Sequence, residues 1–413
     1  MNKSEKIKMA LDRTVPIDDP EYIVGEADAL NKMDMVIKSM QQRNGGILGC
    51  VVLGQVGNGK THFLRYIRKN YKKSVIGMYI PDMFVSGPLV DALTGIYKSI
   101  FNGPGNHSLS CYLNEWKCVK ESEEIQQCTT NKIFKFLQLC TNEVEERLIL
   151  EYYSGYDMIP DQMKFLRSKF GLKKKIISNE IELYDLAGTA LEFIQKVTGK
   201  SIVLLFDEVD KIYSADTNKT RMSAVQAKLL TAYRGLFDSL NSRLIKGIVV
   251  VGATPEAWSI LSTQTAFERR FVDNVIMLKV PKKKEDCIKF IENRYKEINL
   301  EFDEEDRKYT TELVSNFEED RRKTWADVLS NLMKSEVKSE GEEKDPAQEI
   351  MEVLLNAISP LTWNEILQES QFLSEIYPKA QPTALLKKLE KEGKIKVNET
   401  KPRTYESWGI DNE

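Results

Sequence analysis

Residues 54–61 read GQVGNGKT and fit G-x-x-x-x-G-K-[ST] without a mismatch, through Gly54, Gly59, Lys60 and Thr61. That spacing suits the chemistry of holding phosphates. Glycines let the backbone curl so that successive N–H groups face β- and γ-phosphate oxygens, and a following helix adds the partial positive charge of its N-terminus. Lys60 would reach the outer phosphates and Thr61 would offer its hydroxyl to Mg²⁺. The nucleotide-binding set is therefore Gly54, Gln55, Val56, Gly57, Asn58, Gly59, Lys60, Thr61 and His62, with His62 packing or hydrogen-bonding locally inside the helix. A second stretch, SIVLLFDEVDK at 201–211, runs five apolar residues straight into Asp207 and Glu208. At the C-terminal edge of a parallel sheet, Asp207 would hold Mg²⁺ through water and Glu208 would orient and polarise the attacking water. The alternative, two acids that only cap the next helix, is disfavoured by the partner loop. A third stretch, KGIVVVGATPEAW at 246–258, ends in Thr254. Thr254 could lie between the two motifs and touch the γ-phosphate or the water, or could be an ordinary strand-ending turn before Pro255. In TAFERRFVDNVIMLKVP, 265–281, Arg269 and Arg270 precede another apolar strand. Arginines there are either solvated or able to reach a neighbouring subunit's nucleotide.

These residues need elements to position them. ILGCVVLG at 47–54 is short, apolar and rich in β-branched residues, as a buried parallel strand should be. THFLRYIRKNYKK after it places Phe63, Leu64 and Ile67 at helical spacing. The chain of 413 residues is 42% hydrophobic and 29% charged, enough for a real core and two or three domains. No run approaches the roughly 18 to 20 apolar residues of a membrane helix, and the N-terminus lacks a signal peptide's apolar stretch. The expectation is a soluble, cytoplasmic, DNA-associated protein with no membrane partner. Cys111, Cys118, Cys128 and Cys140 lack the C-x₂₋₄-C spacing of a zinc site and read as buried apolar cysteines in a helical segment. Two histidines, His62 and His107, leave little for a Ser-His-Asp hydrolase or a histidine-rich metal site. A net charge of −3 argues against a globally basic nucleic-acid coat but permits a local basic face.

The order GQVGNGKT, LLFDEVD, GATP, ERRF, then a helical segment, resembles an AAA+ ATPase, and DEVDK is similar to the D-E-x-D box of the origin-recognition and replication-initiator branch. The resemblance implies an α/β P-loop (AAA+) core with a parallel sheet, a long helical insertion and a helical lid, followed by an α+β winged-helix domain. It implies ATP and Mg²⁺ as ligands. It makes Thr254 a sensor, Arg270 with Arg269 the candidate trans-acting finger of a homo- or hetero-oligomer, and Tyr22, Ile23 and Val24 the segment that cups adenine. Glu26 stands where the family usually has an arginine. In the lid stretch EEDRRKTWADVLSNL, 318–332, Arg321 or Arg322 would be the lid arginine, and the family's glycine before it is missing. The implied domains are an AAA+ core over 1–282, a lid over 283–335, a linker over 336–346 and a winged helix over 347–413.

One departure is large. Lys60 and Asp207 are 147 residues apart, where a helix, a strand, a helix and their loops need only about 50 to 60. The excess falls in 103–180, in amphipathic helical text whose aromatics (Tyr152, Tyr153, Tyr156, Phe165, Phe170) mix with Lys164, Arg167, Lys169 and Lys173 to Lys175. It reads as an ordinary helical subdomain, or as a surface for DNA or a protein partner. At the C-terminus, EIMEVLLNAI, SPLTWNEILQES capped by Thr362 with Glu365, and TALLKKLEKEGKI give three helices, and IKVNETKPRTYESWGI a hairpin. Over 378–408 eight Lys or Arg face four Glu, and Lys387, Lys388, Lys391, Lys401 and Arg403 are the candidate contacts to duplex DNA. Winged helices also dock proteins. The leading expectation is an initiator-like ATPase in which ATP between subunits controls assembly on duplex DNA and hydrolysis resets it. Alternatives are an AAA+ regulator of transposition or anti-phage defence, and a nucleotide-switched docking scaffold without DNA binding.

Overall fold

The computed structural model describes residues 6–7, 9–10, 19–85, 87–173, 176–213, 223–271, 273–279, 284–315, 346–357, 359–377, 382–398 and 403–407. The chain divides into two compact units, Met1–Leu332 and Met333–Glu413. In the first, five parallel strands lie in the order β2-β3-β4-β1-β5: β1 is Ile47–Leu53, β2 Val75–Ile80, β3 Ser201–Phe206, β4 Gly247–Ala253 and β5 Val275–Met277. Strands β1, β3 and β4 are almost wholly buried, as near-continuous apolar runs covered on both faces should be. One face packs the helices Ala27–Gln42 and Lys60–Asn70, with Phe63, Leu64 and Ile67 all inside. The expected strand and helix around the phosphate loop are both present. At Gly49 a β-carbon would lie 2.0 Å from the carbonyl oxygen of Arg270, so glycine there lets the crossover into β5 press against β1.

The excess between β2 and β3 is helical. Short helices Leu113–Val119, Lys132–Gln138, Glu143–Tyr153 and Pro160–Phe170 are held between the long helices Leu89–Asn102 and Glu180–Thr198. They share one apolar core with the sheet, in which Trp116, Phe134 and Phe193 meet with ring centroids 5.8 and 5.3 Å apart. Polar anchors fix the seam: Asn131 Nδ2 donates to Thr189 O (3.0 Å), Trp116 Nε1 to the buried Glu146 (3.1 Å), and Leu109 N to Ser154 Oγ (2.8 Å). The aromatic and basic text of 150–173 is therefore mostly structural. Tyr152, Tyr153 and Phe170 are buried, Phe165 packs against them, Lys169 pairs with Glu145 and Lys173 with Glu182. Tyr156, Lys164 and Arg167 instead line an open cleft of about 640 Å³. The cysteines also differ from expectation: Cys111 and Cys118 are exposed, and Cys128 and Cys140, which lie just beyond the ends of short helices, are half-buried, whereas Cys50 and Cys287 are buried.

Helices Lys284–Glu297 and Glu304–Ser315 follow β5. The lid stretch with Arg321 and Arg322 lies outside the described residues, as does Lys401. Among the described residues no helix is long and apolar enough to cross a membrane.

The second unit has helices Pro346–Asn356, Trp363–Glu369, Gln371–Ile376 and Thr383–Lys391, with a three-stranded antiparallel sheet ordered β6-β8-β7 (Leu361–Thr362, Thr404–Ser407, Ile395–Asn398). The expected capping box forms: Thr362 Oγ1 accepts from Glu365 N, and Thr362 N donates to Glu365 Oε2 at 2.7 Å. The sheet strand β6 and the fourth helix go beyond the expected pattern of three helices and a hairpin. Two residues are too few to show alternation, and QFLSEI follows its neighbour without a breaking residue.

Because the insertion and the sheet share one core, Phe134→Ala should cost about 3 to 5 kcal/mol and lower the unfolding midpoint of the whole first unit. Thermal unfolding followed by a thiol probe at the exposed Cys118 and by nucleotide-site fluorescence should shift together. Separate transitions would show that the insertion folds on its own.

Candidate active site

Strand β4 runs between β1 and β3, so three strand ends meet at one edge. Leu53 pairs with Ala253 and Phe206 with Val251, which sets the phosphate loop beside Thr254 and Asp207 across β4 from Lys60. The loop turns through Gly57 (φ 83°) and Gly59 (φ 82°), left-handed positions that a side chain would strain, and Gly59 caps the helix Lys60–Asn70. Lys60 is only 9% exposed, and its ammonium donates to Gly54 O (3.0 Å) and Gln55 O (3.3 Å) and pairs with Asp210 Oδ2 at 3.2 Å.

Asp207, 2% exposed, is fixed from two sides: Tyr79 Oη donates to Oδ2 (2.7 Å) and Glu208 N to Oδ1 (2.9 Å). Glu208 has φ 53°, a left-handed conformation that costs a β-carbon residue about 1–3 kcal/mol and turns its side chain out of the buried strand line. Burial and the Asp207 charge raise the Glu208 carboxyl above the usual carboxylate range, the direction a proton-accepting group needs. Thr254 is buried and caps the helix Pro255–Ser262, its Oγ1 accepting from Ala257 N at 3.2 Å, while its own N–H donates to Asp210 Oδ1 at 2.8 Å. Gln55 reaches Glu256 at 3.2 Å. The strand-end turn expected as an alternative for Thr254 is thus present, and it stands between the two motifs. This edge has the arrangement expected of an α/β P-loop core, with the glycine loop after β1 and the acids after β3 in one parallel sheet.

No family model matches the chain, and no curated protein matches it. Solved structures overlap it at low similarity. Cdc6p from Pyrobaculum aerophilum is 13% identical with a TM-score of 0.36, over 96% of this chain and 93% of that one. A DNA replication initiation factor is 13% identical with a TM-score of 0.34, over 87% and 72%. A mutant RuvB of Thermogota maritima is 12% identical with a TM-score of 0.33, over 92% and 93%. The reading of the fold rests on the strand order and the residues at its edge, not on these likenesses.

The donors fit a nucleotide triphosphate with Mg²⁺. Left-handed glycines, the Lys60 ammonium and the Thr61 hydroxyl stand on one strand end, and Asp207 and Glu208 stand two strands away. The N-terminal segment is bound to the same helix. Tyr22 O accepts from His62 Nε2 (2.8 Å), so His62 bonds forty residues away in sequence rather than locally, and burial keeps its ring below the usual histidine range. Asp19 accepts from Arg65 (3.0 Å) and Arg68; burial opposes its charge, but these guanidiniums hold its carboxyl below the usual range. The Tyr22 ring lies between His62 and Phe290, Ile23 is half-buried and Val24 is buried.

The two arginines before β5 differ in a way adjacency hides. Arg270 donates to Ala266 O and pairs with Asp238, on the helix Ala224–Ser242. Arg269 is exposed, and its side chain has no hydrogen-bond or ion-pair partner among the described residues. Tyr79 and Asp210 are the site residues that motif spacing missed; Asp210 was visible only as the last acid of DEVD. In the second unit, Lys387, Lys388 and Lys391 are exposed on the helix Thr383–Lys391, with Lys388 3.9 Å from Glu392, and Arg403 is exposed before β8.

Glu26 is 6% exposed, accepts from Lys279 N at 2.7 Å through Oε1, and has no partner for its buried Oε2 among the described residues. Burial, with Asp28 and Asp286 nearby, pushes its carboxyl up to about 7 from 4.5. A carboxyl raised in the folded state lends stability that is complete below about pH 4.5 and lost as pH rises through about 7. Glu26→Gln, which keeps the acceptor for Lys279 N–H, should therefore stabilise the protein by about 1 to 3 kcal/mol at pH 8 and leave it unchanged at pH 4.5. Denaturant titrations at both pH values check this; an equal effect at each would contradict it.

Proposed function

We propose that this chain is an initiator-like AAA+ ATPase: ATP bound at the β1–β3–β4 edge, shared with a neighbouring subunit, controls assembly on duplex DNA, and hydrolysis resets it. The observation that carries the hydrolytic part is Glu208, turned out at φ 53° beside the doubly anchored Asp207 and across β4 from Lys60. A protein that only held nucleotide would have little use for a strained carboxylate at that point. Bound Mg²⁺ would supply charge neutralisation of the phosphate oxygens, with Thr61 and Asp207 as its holders. Lys60 and the loop N–H groups bind and orient the outer phosphates. Glu208 orients the attacking water and accepts its proton, and Thr254, at the end of β4, would touch that water or the γ-phosphate. Tyr22, Ile23 and Val24 flank the base.

For the trans contact we favour Arg269 over Arg270. Stabilising charge on another subunit's nucleotide needs a guanidinium not already spent at home, and Arg270 is held by Asp238 and Ala266 O. The DNA part rests on the second unit, where the exposed Lys387, Lys388 and Lys391 share a helix whose Leu386 and Leu389 are buried in its core. Such a face suits phosphate contact, and Arg403 beside the hairpin extends it.

Nucleotide binding and turnover of four variants test the site. Lys60→Ala should abolish binding. Glu208→Gln should bind ATP at near-parental affinity and lose turnover by about 10²-fold or more. Arg269→Ala subunits should be inactive alone yet regain part of the activity when mixed with Lys60→Ala subunits, whereas Arg270→Ala should act chiefly by lowering stability. Normal turnover by the Gln variant would refute the role given to Glu208, and absence of rescue at every mixing ratio would sink the trans site.

A further inference from the structure

The Lys60 ammonium has three N–H groups and three oxygens around it: Gly54 O, Gln55 O and Asp210 Oδ2. The ammonium donates to the two carbonyls and is ion-paired with the Asp210 carboxylate. A phosphate that comes to Lys60 must compete with these oxygens for it. The two carbonyls belong to the loop that carries the lysine, so they stay with it. Asp210 comes from the turn after β3, carries a negative charge, and is held in place by Thr254 N–H on its other oxygen at 2.8 Å.

We propose that Asp210 is an internal competitor for the phosphate site: its carboxylate occupies the position on Lys60 that a phosphate oxygen takes, and so sets nucleotide affinity. This inference rests on the nucleotide reading of the site. Two physical terms act against an incoming phosphate, the loss of the ion pair at 3.2 Å and the approach of a second anion to a partly buried carboxylate. A cation that neutralises the phosphates weakens the second term but not the first. Asp210 thereby makes tight binding conditional on the metal, and it connects the loop lysine to the strand end that carries Thr254.

Asp210→Asn separates charge from shape, because an amide oxygen can still accept from Thr254 N–H while the carboxylate charge that faces Lys60 is gone. Titration of the full chain with N-methylanthraniloyl-ADP should show the Asn variant binding roughly tenfold more tightly than the parent with Mg²⁺. With EDTA in place of Mg²⁺ the ratio should widen, a response that a purely structural role for Asp210 would not give. Asp210→Ser, which keeps a small polar group, should also bind more tightly, and serves if the Asn variant folds poorly. Unchanged or weaker binding by both folded variants, or a ratio indifferent to Mg²⁺, would overturn the proposal while leaving the nucleotide site intact. If neither parent nor variants bind the probe, this inference falls together with the nucleotide reading.

Discussion

Strand β4 is paired in register with β1 along all seven of its residues and with β3 along five, and the candidate chemistry depends on that pairing. A parallel sheet buried on both faces exposes backbone only at its ends, and side chains placed just beyond neighbouring strands have fixed separations. Gly54 N donates to Ala253 O at 3.1 Å, so the first residue of the phosphate loop is tied to the last residue of β4. Asp207 N bonds Ile80 O and Met83 N bonds Asp207 O, which ties the acidic strand end to β2 as well. If β4 slipped by one residue, Thr254 would leave the gap between Lys60 and Asp207, and the Asp210 bridge would open.

Long-range polar contacts then hold the surroundings to this edge. The clamp of Asp19 on Arg65 and Arg68, and of Tyr22 O on His62, attaches the N-terminal segment to the helix whose first residue is Lys60. Movement of that helix would be felt where the base is expected to lie. The insertion is attached to the same helix and to β2, with Asn106 accepting from Tyr79 N and Arg68 while donating to Tyr79 O. Tyr79 in turn holds Asp207. The helical excess between β2 and β3 therefore abuts the acidic motif through two side chains, a short physical route by which a contact on the insertion can reach Asp207.

Local chemistry was legible from sequence, and partners far apart in the chain were not. GQVGNGKT between an apolar β-branched run and Phe63, Leu64 and Ile67 gave strand, loop and helix because each signal spans fewer than a dozen residues. Thr362 and Glu365 announced their own cap. The choice between Arg269 and Arg270 could not be read, because it depends on Asp238 and on one turn of a four-residue helix. The roles of Tyr79 and Asp210 require strands to be placed side by side first. Glu26 was noticed as a departure, but its buried, unpartnered oxygen follows from the packing of Lys279 against it. The aromatics of the insertion left two readings open for the opposite reason: at helical spacing a ring for a base and a ring for the core look the same, and the burial of Tyr152, Tyr153 and Phe170 favours the ordinary helical subdomain.

The central claim is that nucleotide turnover at this edge and DNA engagement belong to one cycle. The most direct measurement is the rate of ATP hydrolysis by the intact chain with and without duplex DNA, across rising salt. The account predicts stimulation by DNA that fades as salt displaces phosphate contacts. Turnover that is indifferent to DNA at every salt concentration would contradict it, and would make a protein partner the object of the nucleotide's control.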